Sequence, residues 1–118
     1  MKALQLQNLG TLALVEAPRP EVGADEVLVK TGASTICTSD LNDIRENPFD
    51  IEFPVILGHE AAGTVVEVGA QVQDLQPGDR VATSPVAPCG TCANCRRGWP
   101  HLCLNVGHFG IDLQGTFA

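Results

Sequence analysis

Four of the five cysteines in this 118-residue chain fall in one stretch, "PCGTCANCRRGWPHLCLN", where Cys89, Cys92, Cys95 and Cys103 follow one another at x2, x2, x7. Three thiols at x2 spacing wrap a loop around one point, and seven further residues let the chain return with a fourth. That is the donor set of a tetrahedral zinc site with Zn–S bonds of about 2.3 Å. An iron–sulfur cluster fits less well, because ferredoxin runs place the fourth cysteine after about three residues with proline behind it, whereas here the gap is seven and Leu104 follows. All four positions are filled by protein, so the site is expected to be closed and structural. Gly90 and Gly98 supply the tight backbone, and N–H groups inside the loop are placed to bond the sulfurs. Apparent zinc binding to such sites is worth about 10–16 kcal/mol, against about 5–15 kcal/mol for a whole domain, so the metal is expected to hold the lobe together. Arg96 and Arg97 read as a solvated pair offsetting the negative charge of four thiolates on a divalent ion, and His101 as a surface residue.

A second constellation lies upstream. The fifth cysteine, Cys37, opens "CTSDLNDIREN", and "FPVILGHEAAG" delivers His59 and Glu60 to the end of an apolar strand between glycines. Cysteine and histidine are two of the three protein ligands that a catalytic zinc needs, with one position left for water or substrate. On its own the pair is a weak signal, and a buried thiol with a satisfied histidine is the default reading.

The elements that must carry these groups are mostly β. "MKALQLQ", "LALVE", "EVLVKTGAST", "GTVVEVG" and "DRVATSPV" are short apolar segments rich in β-branched residues, and "APRPEVGADE" and "QPGDR" are turn formers between them. A mostly β barrel or sandwich is expected. The exception is Cys37 to Asn47, where Thr38 or Ser39 is placed to cap a short helix, Leu41 and Ile44 share a face, and Pro48 marks the end. Cys37 then sits at the helix mouth, where the dipole favours a thiolate.

Composition narrows the function. The net charge is −7, from 14 acidic and 7 basic residues, which repels a phosphate backbone, so no nucleic-acid partner is expected. No run is an apolar membrane span or a secretory h-region. An odd number of cysteines without a signal peptide points to a reducing, cytoplasmic setting and to metal in preference to disulfides. A chain of this length buries roughly two thirds of its unfolded surface, enough for one domain with a modest core.

All these pieces occur together and in order. Cys37-Thr38-Ser39-Asp40, then "GHEAAG" (Gly58 to Gly63), then "EVGAQVQDLQPGDRV", then the four-cysteine lobe resemble the N-terminal, GroES-like catalytic domain of the zinc-dependent medium-chain alcohol and polyol dehydrogenases, across essentially the whole chain. The resemblance implies a mainly β, GroES-like partly open barrel with one short helix and a zinc lobe. It implies Cys37 and His59 as catalytic zinc ligands and Glu60 as the acid that approaches the metal or exchanges with water. Ser39 is then the hydroxyl that begins a proton relay, and Asp40 the partner orienting His59. The implied cofactors are zinc and NAD or NADP, the substrate is a small alcohol or carbonyl compound, and the complete protein is a candidate homo-oligomer. Many relatives carry a proton-passing histidine five residues after the catalytic cysteine; here it is Asn42, which does not titrate. No G-x-G-x-x-G opens a helix anywhere. Residues 1–118 are therefore expected to be a truncated catalytic domain, with the nucleotide-binding domain and a third protein ligand beyond residue 118. The competing reading is a stand-alone zinc-stabilised β module that binds a partner without catalysis, and Cys37, His59 and Glu60 discriminate against it.

Overall fold

The computed structural model describes residues 1–118. Two short apolar segments meet at Gly10, whose φ of 72° makes the turn. Strand β1 (Lys2–Asn8) and strand β2 (Thr11–Glu16) form the resulting hairpin, paired from Lys2↔Glu16 to Asn8↔Thr11. The other edge of β1 takes β4 (Val55–Ile56), giving the order β2-β1-β4. The second sheet runs β3-β5-β6, from Val27–Ser34, Ala61–Val68 and Arg80–Ala82. A third consists of β7 (Val86–Ala87) and β8 (Gly107–His108). Every strand pairing is antiparallel. The arrangement is mainly β with open sheets, as expected.

Only 11 of the 118 residues are buried, so a small apolar centre carries much of the packing. Leu6, Ile51, Val55 and Leu57 form it, with Ile44, Phe53, Ile111 and Phe117 packed around. Burying a side chain such as Leu6 is worth roughly 1.5–3 kcal/mol. The C-terminal segment joins this centre through backbone bonds, Leu4 N–H to Phe117 O at 2.8 Å and Phe117 N–H to Leu57 O at 3.0 Å. Val55, Ile56 and Leu57 are all buried, so the approach to Gly58 and His59 is clamped on both sides.

Helix α1 runs Thr38–Glu46. Its N-cap is Cys37, not Thr38 or Ser39, because Asp40 supplies the cap contact: the Cys37 N–H donates to Asp40 Oδ2 at 2.7 Å. Asn47 closes the helix in the left-handed region (φ 47°), immediately before Pro48. The inward face also differs from the sequence expectation. Ile44 packs on the core, but Leu41 is 40% exposed while Asp40 and Asp43 are buried. The helix is turned so that Asp40 reaches Cys37 and His59. The four-residue helix α2 (Ala93–Arg96) and a 3₁₀ turn at Pro100–Leu102 belong to the cysteine lobe.

Candidate metal centres

The β3/β5 ladder brings the first centre together. Its last pair is Ser34↔Ala61, so the next step places Thr35 opposite Glu60, and the Thr35 N–H donates to Glu60 O at 3.0 Å. Cys37 lies three residues past the end of β3, while His59 and Glu60 directly precede β5. One donor atom each from Cys37, His59 and Glu60 lies within 4.8 Å of the others. Gly58 makes the corner before His59 with φ of 93°, and a Cβ there would sit 2.4 Å from a Phe117 ring carbon. Glycine is required on both counts.

Asp40 is 2% exposed and serves two groups. Its Oδ2 accepts from Cys37 N, and its Oδ1 lies 3.5 Å from His59 Nδ1. With one ring nitrogen turned to the carboxylate, the other is available to a metal. Ser39, through its hydroxyl and then its backbone N–H, holds the Cys37 thiol below its ordinary range; His59 adds to this, while burial and the Glu60 charge oppose it. A thiol so poised is ready to ligate.

The second centre is self-contained. The sulfurs of Cys89, Cys92, Cys95 and Cys103 all lie within 4.8 Å of one another, and a tetrahedron with about 2.3 Å Zn–S bonds has edges of about 3.8 Å. Backbone N–H groups aim at the sulfurs: Cys89 N to Cys103 Sγ at 3.2 Å, Asn105 N to Cys103 Sγ at 3.3 Å and Cys95 N to Cys92 Sγ at 3.5 Å. Gly90 and Gly98 take φ of 71° and 81°, which lets the loop fold over its own thiols. The N–H groups of Thr91 and Cys92, with Cys103, hold Cys89 down at about 6. Those of Leu104 and Cys95 lower Cys92. Burial, then the neighbouring sulfurs of Cys92 and Cys103, push Cys95 up to about 12. The donor set and its spacing fit a tetrahedral metal. Arg96, Arg97 and His101 are exposed at its rim.

Three residues near the first centre had no local signal in the sequence. Thr35 donates its hydroxyl to Glu60 Oε2. Ser34 Oγ donates to Glu60 O at 2.8 Å and lies 3.1 Å from Thr116 Oγ1. Asp43 is buried behind Asp40, and its Oδ1 has no partner. For Thr35 the signal was the strand register, which places it across from Glu60. Asn42 lies exposed on α1, and no helix is long and apolar enough to cross a membrane.

Known proteins share this plan. Residues 23–118 match the model of the alcohol dehydrogenase GroES-like domain. The L-threonine 3-dehydrogenase of Shewanella loihica is 39% identical over 100% of this chain and 36% of its own length. The D-altritol 5-dehydrogenase of Agrobacterium fabrum is 39% identical over 100% of this chain and 35% of its own. The crystal structure of galactitol-1-phosphate dehydrogenase from Escherichia coli superposes with a TM-score of 0.89 at 39% identity, covering 100% of this chain and 34% of that one. The chain thus spans about a third of the length of the relatives it matches. With the domain model matched over most of its residues and the same fold in a solved relative, the chain belongs to the alcohol dehydrogenase GroES-like domain family.

Proposed function

We propose that residues 1–118 are the catalytic domain of a zinc- and NAD(P)-dependent alcohol or polyol dehydrogenase that interconverts a small alcohol and its carbonyl compound. The observation that carries this reading is the convergence of Cys37, His59 and Glu60 within 4.8 Å at the end of one ladder, with Ser39 against the Cys37 thiol. In this reading the four-cysteine lobe holds a structural zinc, and Cys37 and His59 hold a catalytic one with Glu60 as a further donor. When bound, zinc supplies the Lewis acidity that lowers the pKa of an alcohol hydroxyl, and the nicotinamide supplies the hydride acceptor.

The chain's own residues handle position and protons. Asp40 orients His59 and, through the Cys37 N–H, fixes the start of α1. Ser39 Oγ takes the hydroxyl proton of the alcohol and passes its own onward. Asn42 does not titrate, so the proton leaves through water or through another residue. Within residues 1–118 no G-x-G-x-x-G is present to cradle a dinucleotide phosphate, and in this reading the nicotinamide cofactor is not held by these residues. Five free thiols suit a reducing compartment, and we place the protein in the cytoplasm.

The test is alcohol-dependent reduction of NAD or NADP by the intact protein and by its Cys37→Ser variant. Turnover is expected in the first and not in the second, with the metal of the cysteine lobe retained in both. Residues 1–118 alone are expected to give no turnover. Turnover unaffected by Cys37→Ser would overturn the reading.

A further inference from the structure

We infer that Thr35 is a positioning residue for the Glu60 carboxylate: its hydroxyl holds that side chain beside Cys37 and His59 and so governs how Glu60 serves the metal. The inference rests on the reading of Cys37, His59 and Glu60 as a metal centre and deepens it.

Glu60 is exposed. A free glutamate loses up to about 2 kcal/mol of rotamer entropy when it is fixed, so an exposed one needs a restraint to keep a single pose. The ion pairs of the chain lie at Met1, Arg19, His59 and His108, and none involves Glu60. The hydrogen bond that holds its carboxylate comes from the Thr35 hydroxyl to Oε2. The main chain on either side is pinned separately. Glu60 O accepts from Thr35 N at 3.0 Å and from Ser34 Oγ at 2.8 Å, and Ser34 Oγ is tied in turn to Thr116 Oγ1 at 3.1 Å.

Geometry explains why a threonine can do this. Thr35 and Glu60 stand one step past Ser34↔Ala61, and directly opposed residues of an antiparallel pair have Cβ atoms about 4.5–5.5 Å apart. From that distance a hydroxyl on Cβ reaches a carboxylate two carbons further out. Threonine is also stiff at χ1, so its hydroxyl stays where the strand puts it. Engaging Oε2 leaves Oε1 as the oxygen Glu60 can offer a metal.

The experiment measures cobalt(II) affinity at the Cys37 centre of the intact protein, by competition with a chelator, with zinc retained in the cysteine lobe. Thr35→Val keeps the shape and the backbone N–H but removes the donor, and is expected to weaken cobalt about tenfold, the lower end for residues that orient a ligand. Thr35→Ser keeps the hydroxyl and should recover most of that loss. On a Glu60→Gln background, Thr35→Val should cost little more, because both changes break the same unit. Cobalt held as tightly by Thr35→Val as by the parent would overturn the inference. So would an equal loss in Thr35→Ser, or a Thr35→Val loss that adds in full to that of Glu60→Gln. Failure of the underlying reading looks different: Cys37→Ser would then leave cobalt bound as before.

Discussion

Asp40 and Asp43 stand one turn apart on the inward face of α1, 2% and 3% exposed: Asp40 Oδ2 accepts from the Cys37 N–H and its Oδ1 lies 3.5 Å from His59 Nδ1, whereas Asp43 Oδ1 has no partner. Burial, then the charge on Asp40, pushes the Asp43 carboxyl above its usual range; His59 opposes this. A carboxyl whose folded pKa is raised destabilises the fold above that pKa, and the penalty is relieved as pH falls through it. Asp43→Asn removes the buried charge and is therefore expected to stabilise the protein near pH 7, by about 1 kcal/mol. The gain should shrink as pH falls toward 4. Urea unfolding of parent and variant across that range checks it, and a gain that grows on acidification would refute it.

Ser39 stands against the Cys37 thiol but in this reading supplies no ligand of its own. Ser39→Ala should lower the hydride-transfer rate by about 10²-fold or more, the range for a lost proton-transfer group, with metal content unchanged. Rapid-mixing kinetics beside metal analysis decides it. If rate and metal fall together, Ser39 belongs to the metal's support and not to the proton path.

Gly58→Ala forces a side chain into φ of 93° and against Phe117. Strained backbone of this kind costs about 1–3 kcal/mol, and Phe117 must also leave its place beside Leu57. The variant should lose at least about 1 kcal/mol in denaturant unfolding and, because His59 is the next residue, bind metal at the Cys37 centre more weakly. A variant as stable as the parent would show that the corner is softer than its geometry implies.

The two centres should respond separately. Cys89→Ser is expected to lose the tightly held metal and lower the melting temperature, whereas Cys37→Ser should leave both nearly unchanged. Acid should act on the lobe through Cys95. Held at about 12, this thiol keeps its proton at neutral pH without metal and must release it to ligate. Apparent zinc affinity should thus rise about tenfold or more per pH unit across the neutral range. Titration with a zinc-responsive dye between pH 6 and 8 reads the slope, and a flat profile would mean that the lobe binds without displacing a proton.

What could be read in the sequence was what is local. The four cysteines announce themselves by spacing, Gly58-His59-Glu60 by glycine beside a metal-ligating type, and the main strands by β-branched runs between turn formers. Cys37 as a helix cap was hidden because sulfur is not a favoured capping group; the cap is completed from three residues downstream by Asp40. Leu41 shares a face with Ile44 by spacing yet is 40% exposed, because the helix turns Asp40 and Asp43 inward. The Thr35–Glu60 contact depends on a ladder with register shifts at Leu28/Val29 and Thr31/Ala33, and no local rule counts across such bulges. Two-residue strands such as β8 form only because a partner is already in place.

The pairing of Val86 with His108 and Ala87 with Gly107 puts the two ends of the cysteine lobe side by side, about 5 Å apart at the Cα atoms. The lobe is a loop on a two-stranded stem, and all four of its thiols belong to the loop. A metal held there would pin nothing in the β3/β5 ladder directly. Such a cassette could be swapped for a short turn between Ala87 and Gly107, or grafted onto another hairpin of matching width, without moving the strands that deliver Cys37 and His59.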